Sequence, residues 1–150
     1  MQEFADDEVV EMTDAENWNL LAHAQLGRLA LSVRDEVDIF PINFEVFEGA
    51  LYFRTSPGSK LAQLTTNPRV ALEADRYDDE TAASVIVKGI AERLDRQVDI
   101  DMADALPLHP WIPTLKYRWV RITPTRVSGR RFRRAPEPDR YAVVDGGPTS

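Results

Sequence analysis

The chain has 150 residues, 43% of them hydrophobic, and a formal net charge of -7. That length and core content suit one compact domain, and the acidic balance excludes the broad basic surface that grips nucleic acid regardless of sequence. Cysteine is absent, which excludes disulfides, thiolate metal ligands and cysteine nucleophiles. Residues 1–12 are acidic and lack the basic and apolar regions of a secretory signal, and no apolar run approaches the roughly 20 residues that span a bilayer; the expectation is a soluble cytoplasmic protein.

Thr13-Asp14-Ala15-Glu16 has capping-box form, with Trp18, Leu21, Ala22 and Leu26 at helical spacing, so a helix is predicted from near Asp14 to before Gly27. Residues 27–33 alternate Leu29, Leu31 and Val33 and, across the polar turn Arg34-Asp35-Glu36, pair with residues 37–47 as a hairpin. Within the second run Val37 and Ile39 are odd while Ile42, Phe44 and Val46 are even, with Phe40-Pro41 at the changeover. That slip predicts a bulge, from which Pro41, Ile42 and Asn43 would offer free main-chain groups to a ligand; the plainer alternative is a proline on an edge strand. After the Glu48-Gly49 turn come a strand over residues 50–54, a loop, and a short helix closed by Asn67-Pro68. Val70, Leu72 and Ala74 mark a half-buried strand, residues 78–83 a loop, and residues 84–94 another strand, where Gly89 signals close approach of a ligand or another backbone. Residues 95–106 read as an acidic helix, 107–113 as irregular, and 117–123 and 126–132 as two strands broken at Pro124. Residues 135–150 read as a mobile tail, leaving a single domain over 1–134. Six or seven short strands joined mostly by tight turns give a mainly β protein, a small antiparallel barrel with short flanking helices.

The densest chemistry lies in Leu51-Tyr52-Phe53-Arg54-Thr55-Ser56-Pro57-Gly58-Ser59-Lys60-Leu61, where a strand runs through a turn into a helix. Unpaired N–H groups and the positive dipole end favour an anion there, Arg54 and Lys60 add charge, and Thr55 and Ser59 add hydroxyls. A phosphorylated ligand fits; the plainer alternative is that Ser56 caps the helix and both cations are solvated.

The ordered set Gly27-Arg28-Leu29-Ala30, Phe40-Pro41-Ile42-Asn43-Phe44, residues 51–60, Asn67-Pro68-Arg69-Val70-Ala71-Leu72 and Ser84-Val85-Ile86-Val87-Lys88-Gly89-Ile90-Ala91-Glu92 resembles the FMN-binding split β-barrel family of pyridoxamine 5'-phosphate oxidase, over roughly residues 14–132. The resemblance implies a homodimer with flavin at the subunit boundary. It implies a phosphate held by Arg54, Thr55, Ser59 and Lys60, and ring contacts from Pro41, Ile42 and Asn43 with help from the strand that begins at Ser84. Where the vitamin B6 oxidases carry Ser-Arg-Lys, this chain has Ser59-Lys60-Leu61, and their basic, aromatic carboxyl terminus is not evident. The resemblance is therefore to the compact, poorly characterised branch: a flavin-dependent oxidoreductase of unknown small substrate, with a deazaflavin (F420) reductase or a non-catalytic flavin-storage module as alternatives. No catalytic residue is assigned.

The remaining constellations are weaker. Lys88 reads as an exposed strand lysine or a charge near the flavin, and Trp111 and Trp119 as core or as an aromatic wall over the ring. His23 and His109 lack ligand spacing, and Asp99, Asp101 and Asp104 lack the glycine and glutamate of a cation loop, so no metal site is expected. Arg126, Arg130, Arg131, Arg133 and Arg134 read as a basic strand end complementing acidic surface, with nucleic-acid binding as the competing reading.

Overall fold

A computed structural model describes residues 9–109 and 117–134. These form β1 (Val9–Glu11), α1 (Asp14–His23), β2 (Leu26–Val33), β3 (Glu36–Asn43), β4 (Glu45–Phe47), β5 (Ala50–Thr55), α2 (Ser59–Thr66), β6 (Arg69–Tyr77), β7 (Thr81–Arg93), α3 (Gln97–Asp104) and β8 (Arg118–Arg133). The strands make one eight-stranded antiparallel sheet in the order β3-β2-β6-β7-β8-β5-β4, with β1 added on β8. Its two terminal strands, β3 and β4, are separated in sequence by Phe44 alone, so the sheet must curl until its ends meet at that corner. This is the curled, mainly β half-barrel with short helices that the strand pattern predicts.

The concave side holds the core. Leu29, Leu31, Leu51, Phe53, Leu72, Val85, Val87, Val120 and Ile122 are buried there, and Leu20 and Leu21 of α1 and Leu64 of α2 join them. On the other side, α3 covers a second cluster of Ala50, Tyr52, Leu94, Ala103 and Trp119. β5 is thus covered on both faces, which explains why Leu51-Tyr52-Phe53 is a continuous apolar run.

The structure corrects several expectations. No bulge occurs at Phe40-Pro41: the β2–β3 register runs unbroken from Asn43 to Glu36. The odd residues Val37 and Ile39 are each 66% exposed, whereas Ile42 is 6% exposed. The apolar phase changes because this strand is apolar on both faces, and the chain itself never changes face. The bulge lies at Lys88/Gly89, where Gly89 faces Pro124 and Lys88 faces Arg126, leaving Thr125 unpaired. Pro124 therefore sits at an irregularity inside one long strand rather than dividing two. A Cβ on Gly89 would lie 2.5 Å from the Thr123 carbonyl oxygen, so the close approach is another backbone. β6 and β7 extend to Tyr77 and from Thr81, reducing the expected loop over 78–83 to a short turn held by Asp78 Oδ1, which accepts from Glu80 N and Thr81 N. β1 was not legible among acidic residues. Helix α1 has the expected capping box, Thr13 Oγ1 accepting from Glu16 N and Glu16 Oε1 from Thr13 N.

Among the described residues no helix is long and apolar enough to cross a membrane. The predicted tail over 135–150 and Trp111 lie outside the described residues.

Candidate functional site

β5 ends on Arg54-Thr55 and turns into α2 through Ser56-Pro57-Gly58. Gly58, not Ser56, is the N-cap of α2, and its φ of +145° is one that side chains disfavour, so glycine permits the turn. α2 has neither a side-chain cap nor an acidic residue in its first turn. The positive end of its dipole is therefore uncompensated, in contrast to α1.

Lys60 stands in that same first turn, where the dipole disfavours a cation. Its Nζ lies 4.5 Å from the Phe40 ring centroid, and burial lowers its pKa below the usual lysine range. Arg54 sits across the β5–β8 ladder from Trp119; its guanidinium carbon is 4.3 Å from the Tyr117 ring centroid and 5.8 Å from that of Trp119. Ring faces engage the flat side of a guanidinium and leave its N–H edges available. Among the described residues no carboxylate pairs with either cation. Arg54 and Lys60 flank the turn into the uncapped start of α2, a corner that carries positive charge and suits a phosphate group, with Arg54 held against Tyr117 and Trp119 and Lys60 over Phe40.

The predicted site residues do not all meet here. Strand alternation places Arg54 and Thr55 on opposite faces of β5. Ser59 opens α2, and its side chain lies outside the described part of the structure. The Lys60–Phe40 contact ties the loop to β3, next in sequence to Pro41, Ile42 and Asn43. Pro41 is exposed; the Ile42 side chain is buried in the core, so only its main chain can meet a ligand; Asn43 Nδ2 donates to Gln25 O at 2.9 Å. β3 ends the sheet, and its second edge has no strand paired with it among the described residues.

Ser84 lies three strands from β3 in a separate polar cluster on the convex face. Its Oγ donates to Glu73 Oε2 at 3.1 Å, while Arg28 bridges Glu73 and Asp75 with Nη2–O distances of 2.6 Å each. Burial, then the adjoining Asp75, raises the Glu73 pKa above the usual carboxylate range against the pull of Arg28.

Of the weaker candidates, Trp119 is 4% exposed and packs under α3, which makes it core. Lys88 is exposed at the edge of a groove of about 350 Å³ on the convex face, together with Ala30, Val37, Ala71 and Ile90. His23 Nδ1 is 2.8 Å from Asn19 O within α1, and no cluster of potential metal ligands occurs among the described residues. Arg131 pairs with Glu16 at 2.9 Å and Arg134 donates to the Asp78 carbonyl, so part of the arginine cluster complements acidic and carbonyl groups of its own chain. Sequence reasoning missed Phe40 beneath Lys60 and the Tyr117–Trp119 pair beside Arg54. Phe40 shares the even phase of Ile42, the signal that could have placed it inward; the pairing of Trp119 with Arg54 depends on register between distant strands.

Residues 13–131 match the family described as pyridoxamine 5'-phosphate oxidase. A Corynebacterium glutamicum protein provisionally described as a pyridoxamine 5'-phosphate oxidase is 43% identical in sequence. It aligns with a TM-score of 0.79 over 85% of this chain and 100% of its own. The FAD-binding protein from Mycobacterium smegmatis is 40% identical, with a TM-score of 0.75, over 84% of this chain and 100% of that one. An uncharacterised Mycobacterium tuberculosis protein is 42% identical over 88 residues, 59% of this chain and 80% of the relative.

Proposed function

The chain belongs to the pyridoxamine 5'-phosphate oxidase family, and from that premise we propose that it binds FMN and acts as a flavin-dependent oxidoreductase on a small substrate. The observation that carries this reading is the start of α2, uncapped and free of acidic residues, with Lys60 desolvated in its first turn. A bound phosphate would compensate both the dipole and the lysine charge. Lys60 and Arg54 neutralise the phosphate, the Thr55 hydroxyl and the N–H groups opening α2 donate to it, and main-chain groups near Ile42 and Asn43 meet the ring. When bound, the flavin supplies the hydride or electron transfer, and the protein contributes binding, orientation and exclusion of water. The proposal includes a homodimer with the flavin at the subunit boundary; Val37 and Ile39, 66% exposed on the terminal strand, are the apolar surface it would cover.

The FAD-binding relative favours a second reading, in which the same corner holds the pyrophosphate of a dinucleotide flavin. The absorbance spectrum of the purified protein, followed by parallel titration with FMN, FAD, riboflavin and deazaflavin, separates these readings. FMN is expected to bind tightest, and Arg54→Ala with Lys60→Ala to weaken it by about 100-fold or more, the loss of two charge-assisted contacts, with circular dichroism unchanged. Unchanged affinity would remove the phosphate assignment. Fast reduction by a nicotinamide donor with turnover on an acceptor supports the oxidoreductase; tight binding with slow reduction by every donor leaves a storage module.

A further inference from the structure

We propose that Asp104, at the end of α3, is a positioning residue that sets Arg54 for the phosphate by fixing the two rings that hold its guanidinium. The inference rests on the phosphate reading and extends it to a helix that contributes no proposed ligand contact. Asp104 Oδ1 accepts from Trp119 Nε1 at 2.7 Å and from Tyr117 Oη at 3.0 Å. The two rings pack edge to face, with centroids 6.1 Å apart and planes at 89°. One carboxylate oxygen thus locks a pair of aromatic side chains at right angles, and Arg54 lies against both.

The neighbouring arginine shows what is unusual here. Arg121, one cross-strand step along the same face of the β5–β8 ladder, has its charge met by Glu92 at 2.7 Å and Asp99 at 4.0 Å. Arg54 has no such partner among the described residues, and Asp104 Oδ1 accepts from the two rings beside it. A direct ion pair would consume the N–H fork that a phosphate needs, whereas ring faces restrain the guanidinium and leave the fork unspent. Trp119 is buried; Tyr117 is half-buried in the residue before β8, packed against the same cluster, and its hydroxyl contact with Asp104 is its one polar restraint beside Arg54 among the described residues.

The test compares FMN with riboflavin, which lacks the phosphate, in the wild-type protein and in Asp104→Ala and Tyr117→Leu. Loosening Arg54 should lower FMN affinity by about 3- to 30-fold, the range a partly desolvated cation–π restraint allows, and leave riboflavin affinity unchanged. Wild-type discrimination that persists undiminished in both variants would overturn the positioning role and leave the phosphate reading standing. Equal loss of both ligands, with or without a fall in Tm, would assign Asp104 to the fold and overturn it as well. A wild-type protein that does not distinguish FMN from riboflavin would defeat the phosphate reading, and this inference with it.

Discussion

Lys60 is placed against the preference of its own helix, and that misfit is the most informative single residue in the structure. A cation in the first turn opposes the dipole, and burial over Phe40 further disfavours its charge, which lowers its pKa. Because the folded, ligand-free protein holds this proton less tightly than the unfolded chain, stability without ligand should rise with pH between the lowered folded pKa and the ordinary lysine value. A bound phosphate reverses the balance by favouring the ammonium. FMN affinity should therefore fall as pH rises through the lowered pKa, and Lys60→Arg should keep its affinity to higher pH; an affinity flat across that range in the wild type would place Lys60 away from the phosphate. Lys60→Met, in turn, should leave the ligand-free Tm unchanged or raised while shrinking the rise in Tm that FMN produces.

The long strands β7 and β8 are built around an irregularity. Pro124 cannot donate to a ladder, Thr125 is left unpaired with its hydroxyl donating to Lys88 O at 3.2 Å, and Gly89 allows the backbones to close over the step. A methyl group at Gly89 would meet the Thr123 carbonyl and Ile122 Cγ2, so Gly89→Ala should destabilise the fold by about 1–3 kcal/mol in a denaturant titration. An unchanged midpoint would mean that the bulge adjusts freely. The hairpin between β2 and β3 turns through Arg34 and Asp35 at φ of 51° and 66°, a conformation that suits strand twist and that glycine or asparagine more often supplies. Composition suggested the turn; the left-handed backbone at both residues was not legible from it.

For the whole molecule, the meeting of β3 and β4 across Phe44 turns an open sheet into a half-barrel whose terminal strand carries Val37 and Ile39 outward beside the convex groove. In the proposed dimer a second copy covers this face. Val37→Lys with Ile39→Lys should keep the circular dichroism spectrum, convert a dimer to a monomer in light scattering, and weaken FMN binding. A dimer that survives both substitutions would place the interface elsewhere. Glu73, raised by burial and Asp75, lies on the same convex face, where its bridge to Arg28 joins β2 to β6.

Most of the elements, and the charge of the loop between β5 and α2, are legible in the local sequence, whereas β1 and the continuity of β8 through Pro124 are not. Alternation marked the half-buried strands, Thr13 and Glu16 marked the start of α1, and the Arg54–Lys60 loop marked the electropositive corner, because these signals arise between residues close in the chain. The ordered motifs also located the family over nearly the residues that match it. Which faces are covered and which side chains meet is visible in the folded chain alone. The fold showed β3 apolar on both sides where the sequence suggested a bulge, put Phe40 under Lys60, set Tyr117 and Trp119 beside Arg54, and left Ser84 with Glu73 three strands from β3. Those contacts depend on the register between strands distant in sequence. A one-residue change of register exchanges the faces of a strand, so local pattern cannot fix which partners a side chain finds.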